Sequence, residues 1–107
     1  MSEQPSAAKR LVGEITPKLA DLTDEVLFGD VWAREALSPR DRSLITVAAL
    51  ITQYRPDQLR SHLNRALDNG VAVDELSEVV THLAFYAGWP SAVSAAVILQ
   101  EVVAGRG

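Results

Sequence analysis

The chain has 107 residues and a formal net charge of −4. Its length fits one domain, predicted to span residues 1–107, with residues 1–5 flexible. The negative charge and the lack of any Lys/Arg run argue against a nucleic-acid-binding protein. The absence of cysteine excludes disulfides, thiolate metal sites and thiol catalysis. No apolar run reaches the length of a membrane span and no signal-peptide core is present, so we expect a cytoplasmic protein without a membrane partner.

The periodicity of apolar residues predicts an all-α protein of five or six helices. A first helix is expected over residues 7–15. A second should begin with Thr16 as N-cap and Pro17 in its first turn, and should end at Gly29. The segment 30–37 fits either a short helix or an ordered loop.

The dipeptide Ser38-Pro39 is the strongest helix start in the sequence, because Ser can cap a helix and Pro suits its first turn. This central helix should run to about Gln53. Residues 44–51, LITVAALI, are apolar at seven of eight positions. A helix that is apolar on all sides must be buried on all sides, so we expect subunits to bury one another's helices.

Three further helices are expected after the break at residues 54–56. Asn69 and Gly70 should end the first of them as a left-handed C-terminal cap, and Gly88 should end the second. Pro90 opens the last helix. Its apolar positions are Val93, Ala96, Val97 and Val102.

The two histidines of the chain lie at the edges of apolar stripes on consecutive predicted helices. An imidazole can donate or accept a proton near neutral pH, so His62 is either a proton-transfer residue or a core-edge histidine with a satisfied hydrogen bond. His82 stands one turn from both Glu78 and Tyr86, and this polar row either lines a pocket or faces water. Two histidines do not complete a zinc site, so no metal is expected.

Arginines and tryptophans beside these helices are candidate binding residues. Arg42 lies near the apolar run and could point inward, where its fork would bind a carboxylate, and Arg34 has the same two interpretations. Arg40 is expected to be solvated. Trp32 and Trp89 are more often core or interface anchors than ligand platforms.

Four stretches of the sequence resemble the carboxymuconolactone decarboxylase family, in the family's order and spacing. The resemblance is strongest over residues 27–96 and implies a compact, all-α, alkylhydroperoxidase D-like domain that assembles as homotrimers or homohexamers. The stretches are FGDVWAREAL (28–37), LSPRDRSLITVAALI (37–51), LRSHLNRALDNGV (59–71) and HLAFYAGWPSA (82–92).

The wider superfamily contains thiol peroxidases that use two cysteines, a histidine and a glutamate. The histidine position matches His62, but Arg55 and Gln58 occupy the cysteine positions and Ser43 the glutamate position. No thiolate exists to attack a peroxide, so this activity is not expected. The chain also departs from the decarboxylases in lacking their proline after Arg34 and in carrying a histidine at position 82, where an amide is frequent.

The resemblance implies removal of CO₂ from a small carboxylated lactone, 4-carboxymuconolactone in protocatechuate breakdown, without a cofactor. His62 would transfer the proton, Arg42 or Arg34 would hold a carboxylate, and His82 or Tyr86 would donate to the developing oxyanion. The alternatives are an enzyme acting on another small lactone or enolisable acid, and a non-catalytic helical oligomer. An enzyme should place both histidines and an arginine in one pocket. The expected apolar wall consists of Trp32, Phe85 and Trp89.

Overall fold

The computed structural model describes residues 5–107, and this part of the chain contains helices and turns without strands, which confirms the all-α prediction. The chain divides into two compact units, one ending at Ser38 and one spanning Pro39–Gly107. The single domain over 1–107 stays a prediction, and of the stretch expected to be flexible only Pro5 lies within the described residues. Within those residues, no helix combines the length and apolar content that crossing a bilayer requires.

The first unit consists of short helices in series. The Ser6 hydroxyl caps the first of them by accepting a hydrogen bond from the Lys9 N–H at 3.1 Å, and it donates one to the Asp24 carboxylate at 2.7 Å. Ala20 is buried within this unit. The elements are α1 (Ala7–Val12), α2 (Pro17–Leu22) and a π-helical segment (Thr23–Val31).

Two sequence predictions for this unit are wrong in detail. The first helix ends at Val12 and not at Ile15. Thr16 is the N-cap residue of α2 and Pro17 its first helical residue, as predicted, although the Thr16 Oγ1 donates to the Val12 carbonyl at 3.0 Å and makes no capping bond. Gly29 does not end a helix but lies inside the π-helical segment. A Cβ at Gly29 would lie 2.7 Å from the Asp24 carbonyl oxygen. Because glycine has no Cβ, the chain can form the wide π-helical turn at this position and the helix continues through it.

The second unit is a bundle of four longer helices. The first of the four, Pro39–Gln53, packs against the other three, and the last, Trp89–Arg106, also contacts all the others. Ile45, on the first of the four helices, is 59% exposed, so one chain does not bury this helix on all sides. The four are α3 (Pro39–Gln53), α4 (Pro56–Asp68), α5 (Val73–Ala87) and α6 (Trp89–Arg106).

Three residues with positive φ make the connections within the bundle. Tyr54, at φ 56°, follows α3, and the Arg55 N–H then bonds back to the Leu50 carbonyl at 3.0 Å. Gly70, at φ 95°, follows α4, which confirms the predicted left-handed cap. Gly88 alone joins α5 to α6, with φ 99° and ψ 151°, a backbone conformation that is essentially reserved for glycine.

Helix α6 is apolar around most of its circumference. Its inward side packs in the core through Ala92, Ala95, Ile98, Leu99 and Val102. The opposite side, here called the α6 outer face, is exposed although it carries no charge. It consists of Trp89, Val93, Ala96, Val97 and Gln100. Of the positions named from sequence as apolar in this helix, Val102 is the one that the bundle buries.

Candidate functional site

His62 lies half-buried on α4, beside the stripe that anchors this helix in the core. The stripe is formed by Leu59, Leu63 and Ala66, which are at most 3% exposed, as the helical spacing predicted. The Nδ1 atom of the imidazole is shielded from solvent. Burial lowers the pKa of His62, and the positive charge of Arg65 lowers it further. The imidazole is therefore neutral near pH 7 in the unliganded protein, a state that suits a proton acceptor.

The second histidine has a different setting on α5. His82 is exposed and stacks with Tyr86, with ring centroids 4.9 Å apart and ring planes inclined by 31°. The predicted row with Glu78 therefore exists, and its outer end faces water, since Tyr86 is 76% exposed. This arrangement provides hydrogen-bond donors at a surface rather than a desolvated acid or base.

An open groove of about 480 Å³ runs between α3 and α5, and His82 lines it. Most of its lining residues are apolar, and Glu75 and Glu78 also line it. His62 is not among the lining residues, so this groove does not unite the two histidines. The remaining lining residues are Leu44, Ile45, Ala48, Val79 and Leu83.

An ion pair beside this groove was not anticipated from the sequence. The Arg40 guanidinium donates a hydrogen bond to the Glu75 carboxylate, which links the first turn of α3 to that of α5. Glu75 also accepts a hydrogen bond from the Ala72 N–H at 2.9 Å. The Ala72 bond, followed by the Arg40 bond, lowers the pKa of Glu75. A glutamate three residues after the N-cap residue of a helix commonly accepts a hydrogen bond from the N-cap N–H, so the sequence could have predicted the Ala72 contact. The ion pair with Arg40 has no such signal in the spacing of the residues.

Ser43, at the position that corresponds to the superfamily's glutamate, is fully buried in α3. The Asn69 side-chain amide, at the end of α4, donates to the Ser43 hydroxyl oxygen at 3.0 Å and to the Pro39 carbonyl at 3.4 Å. This contact ties the start of α3 to the end of the helix that carries His62. Ser43 is therefore a packing residue with a hydrogen-bond partner.

The other predicted binding residues are distributed over both units. Arg42 lies half-buried on α3, with its Nε shielded from solvent. Phe85 and Trp89 are 75% and 59% exposed and meet edge to face with ring centroids 5.3 Å apart. In the first unit, Trp32 is half-buried with its ring centroid 5.7 Å from that of Phe28.

Arg34 also belongs to the first unit and is exposed. Over residues 5–107, no three His, Asp or Glu side chains are grouped closely enough to hold a metal ion.

Known proteins resemble this chain along most of its length. A 4-carboxymuconolactone decarboxylase of Acinetobacter baylyi is 43% identical over 75 residues, which cover 70% of this chain and 56% of that protein. The chain thus spans little more than half the length of this relative. A nitrosuccinic acid decarboxylase of Metarhizium robertsii is 34% identical over 102 residues, covering 95% of this chain and 71% of that protein.

A third relative, an uncharacterized 15.0 kDa protein of Paracoccus denitrificans, is 29% identical over 97 residues, covering 89% of this chain and 72% of that protein. The model of the carboxymuconolactone decarboxylase family matches residues 17–101, in agreement with the four stretches identified in the sequence. The chain belongs to the carboxymuconolactone decarboxylase family.

Proposed function

We propose that this chain is a cofactor-independent decarboxylase of small carboxylated substrates of the 4-carboxymuconolactone type, with His62 as the proton-transfer residue. The observation that carries the proposal is the half-buried position of the imidazole on α4, beside the core stripe and with its Nδ1 shielded from solvent. The names of two relatives support it, since both are decarboxylases. A place in protocatechuate breakdown belongs to the same proposal.

The substrates named for these relatives share one chemical property. In nitrosuccinic acid, one carboxyl group is attached to the carbon that bears the nitro group. In 4-carboxymuconolactone, the electron pair left by CO₂ spreads through the ring alkene to the lactone carbonyl. Each molecule therefore contains its own electron acceptor, and decarboxylation needs no electron sink from a cofactor. We extend this property to the substrate of the present chain: a small acid that carries a carboxylate and a built-in electron acceptor.

The proposed step breaks the bond between the substrate carbon and its carboxylate. CO₂ leaves, the electron pair moves to the acceptor oxygen, and the imidazolium of His62 then donates a proton to carbon. Because the pKa of His62 is lowered in the unliganded protein, the imidazole must first gain a proton. A bound anionic substrate would favour that proton, since a nearby negative charge raises the pKa of an imidazole. Neutral His62 is regenerated when the proton reaches carbon.

Charge favours His62 over His82 for this step. The groove that His82 lines includes Glu78, whose carboxylate repels an anionic substrate, and Glu75, whose carboxylate is paired with Arg40. Around His62, by contrast, Arg65 contributes positive charge. Within the second unit, the proposal therefore gives proton transfer to His62 and carboxylate binding to Arg42.

The test is a comparison of His62→Asn with His82→Asn, the same substitution on the neighbouring helix. His62→Asn should lower kcat on 4-carboxymuconolactone by roughly 10²-fold or more, the usual contribution of a positioned acid–base group, and should change KM less. His82→Asn should cost less. Circular dichroism would confirm that both variants fold. Equal kcat for His62→Asn and the parent would remove His62 from the mechanism.

Nitrosuccinic acid is the second substrate to assay, because the relative named for it matches 95% of this chain. Turnover of nitrosuccinate but not of 4-carboxymuconolactone would keep the decarboxylase and change the substrate. Inactivity of the parent on both compounds would refute the proposed substrate class, and the histidine comparison would then have to await another substrate.

A further inference from the structure

Arg55 stands at the start of α4 with its backbone fixed on both sides and its side chain exposed. Its N–H donates to the Leu50 carbonyl at 3.0 Å, and its carbonyl accepts from the Leu59 N–H at 2.8 Å. These two bonds connect the end of α3 to the first turn of α4. A long charged side chain on an anchored backbone is a suitable binding group, because only its own rotamers must be ordered when a ligand binds.

The guanidinium of Arg55 is not used by the fold. Over residues 5–107, it makes no hydrogen bond and no ion pair. Asp57, two positions along the chain, does not pair with it, since residues two apart on a helix do not face each other. Arg55 therefore offers a positive charge and five N–H donors to a ligand. By contrast, three other arginines of the bundle are bound to carboxylates of neighbouring helices, in the pairs Arg40–Glu75, Arg60–Glu101 and Arg106–Asp68.

The residue before Arg55 carries backbone strain. Tyr54 has φ 56°, a left-handed conformation that is uncommon for a residue with a side chain. Its side chain is exposed, so packing in the core does not explain the strain. Strained residues cluster at binding and catalytic sites, where the surrounding structure holds them in place. Here the left-handed turn allows the Arg55 N–H to reach the Leu50 carbonyl, and this contact fixes the position of Arg55.

Arg55 and His62 lie on the same side of α4. Gln58 stands between them, and the spacing of three and then four residues places the three side chains on neighbouring turns. The step from residue 55 to residue 62 corresponds to about 10 Å along the helix axis. Helical side chains lean toward the N-terminus, so the His62 imidazole leans toward Arg55. A small molecule with an anionic group at one end can therefore contact both residues.

Nitrosuccinic acid and 4-carboxymuconolactone each carry two carboxyl groups, of which one leaves as CO₂ and the other stays on the product. We propose that Arg55 binds the carboxylate that stays, and that this contact selects small diacids over monoacids. This assignment rests on the proposed function. Two carboxylates call for two cations, so Arg55 adds to Arg42 and does not replace it. Because the retained carboxylate is unchanged by the reaction, its ion pair stabilises the bound substrate and the transition state equally.

Steady-state kinetics of Arg55→Gln provide the first test. The substitution should raise KM for the diacid by roughly 10- to 10²-fold and change kcat by less than about 3-fold, because it removes binding that is equal in the two states. Arg55→Lys keeps the charge but loses the two parallel donors, so its KM should lie between those of Arg55→Gln and the parent. The matched control is Arg60→Gln. It makes the same charge change on the same helix, at an exposed pair with Glu101, and should leave KM unchanged.

A titration with succinate measures the same contact without turnover. Succinate is a diacid without an added electron acceptor, so it can bind but not lose CO₂. In His82→Asn, His62 is the single histidine of the chain, and its NMR signals report a bound anion. Succinate should raise the pKa of His62 and bind at least ~10-fold more tightly than propionate. Addition of Arg55→Gln should abolish this preference.

The outcomes separate this assignment from the proposed reaction. If the parent is active, an unchanged KM in Arg55→Gln would overturn the assignment. An equal rise of KM in Arg60→Gln would also overturn it, because the effect would then be general attraction of anions. A loss confined to kcat would show that Arg55 does not serve the retained carboxylate. If the parent turns over neither compound, the proposed reaction fails and the succinate titration decides alone: equal affinity for succinate and propionate, or a preference that survives Arg55→Gln, would refute the site.

Discussion

Replacement of Asn69 by alanine tests whether the contact between α3 and α4 is held by a buried hydrogen bond. The Asn69 amide donates to Ser43 Oγ at 3.0 Å, and Ser43 is fully buried. Loss of a net hydrogen bond costs about 1 kcal/mol, and a buried oxygen left without its donor costs about 1–3 kcal/mol. Asn69→Ala should therefore lower the free energy of unfolding by about 1.5–3 kcal/mol. Ser43→Ala should cost less, because the half-buried amide of Asn69 can turn to water.

Urea unfolding of the single variants and of the double variant measures this interaction. If the free energy of unfolding falls by roughly 2 kcal/mol per molar urea, Asn69→Ala should lower the urea midpoint of unfolding by ~1 M. The double variant should lose less than the sum of the single losses, with a coupling of ~0.5–3 kcal/mol. Asn64→Ala is the control, because its hydrogen bonds lie at the exposed surface. Strictly additive losses would show that the two side chains do not support each other.

Two further predictions follow from the backbone and from His62. Tyr54 has φ 56° and is 58% exposed. Tyr54→Gly should therefore relieve backbone strain and raise the free energy of unfolding by about 1 kcal/mol, measured as a higher Tm. Tyr54→Val should lower the Tm, because a β-branched residue tolerates positive φ poorly. The pKa of His62 is lowered in the folded state, so the unfolded chain binds its proton first as pH falls. Stability should therefore decline below about pH 6.5, the ordinary imidazole pKa, until the lower folded pKa is passed. Urea midpoints across this pH range should decline less for His62→Gln, and identical profiles would contradict the assignment.

The sequence predicts the second unit of the fold better than the first. Helix α4 has one narrow apolar stripe, so periodicity alone identifies Leu59 and Leu63 as core residues, and the structure agrees. In the first unit, Gly29 was interpreted as a helix end because glycine usually stops helices. Here its missing side chain allows a π-helical turn beside the Asp24 carbonyl. The spacing of apolar residues does not predict such a turn.

Periodicity also fails to orient α6. Apolar residues surround that helix, so no stripe in the sequence distinguishes Val97, which is exposed, from Ile98, which is buried. The setting of His62 at the edge of a stripe was predictable from its spacing. The ion pair between Arg40 and Glu75 was not, because it joins residues 35 positions apart and depends on how α3 and α5 pack.

Because Gly88 is the one residue between α5 and α6, the chain cannot easily gain residues at this connection. Helices α5 and α6 leave no loop between them, so an inserted residue would have to displace one helix or unwind a turn. The connection from Asn69 to Ala72 has four residues outside helices, of which Gly70 and Ala72 are exposed, whereas Asn69 is bonded to Ser43 and Val71 is buried. A loop graft in this connection would therefore have to keep Asn69 and Val71 in place, while Gly88 is the position at which a graft would be most disruptive.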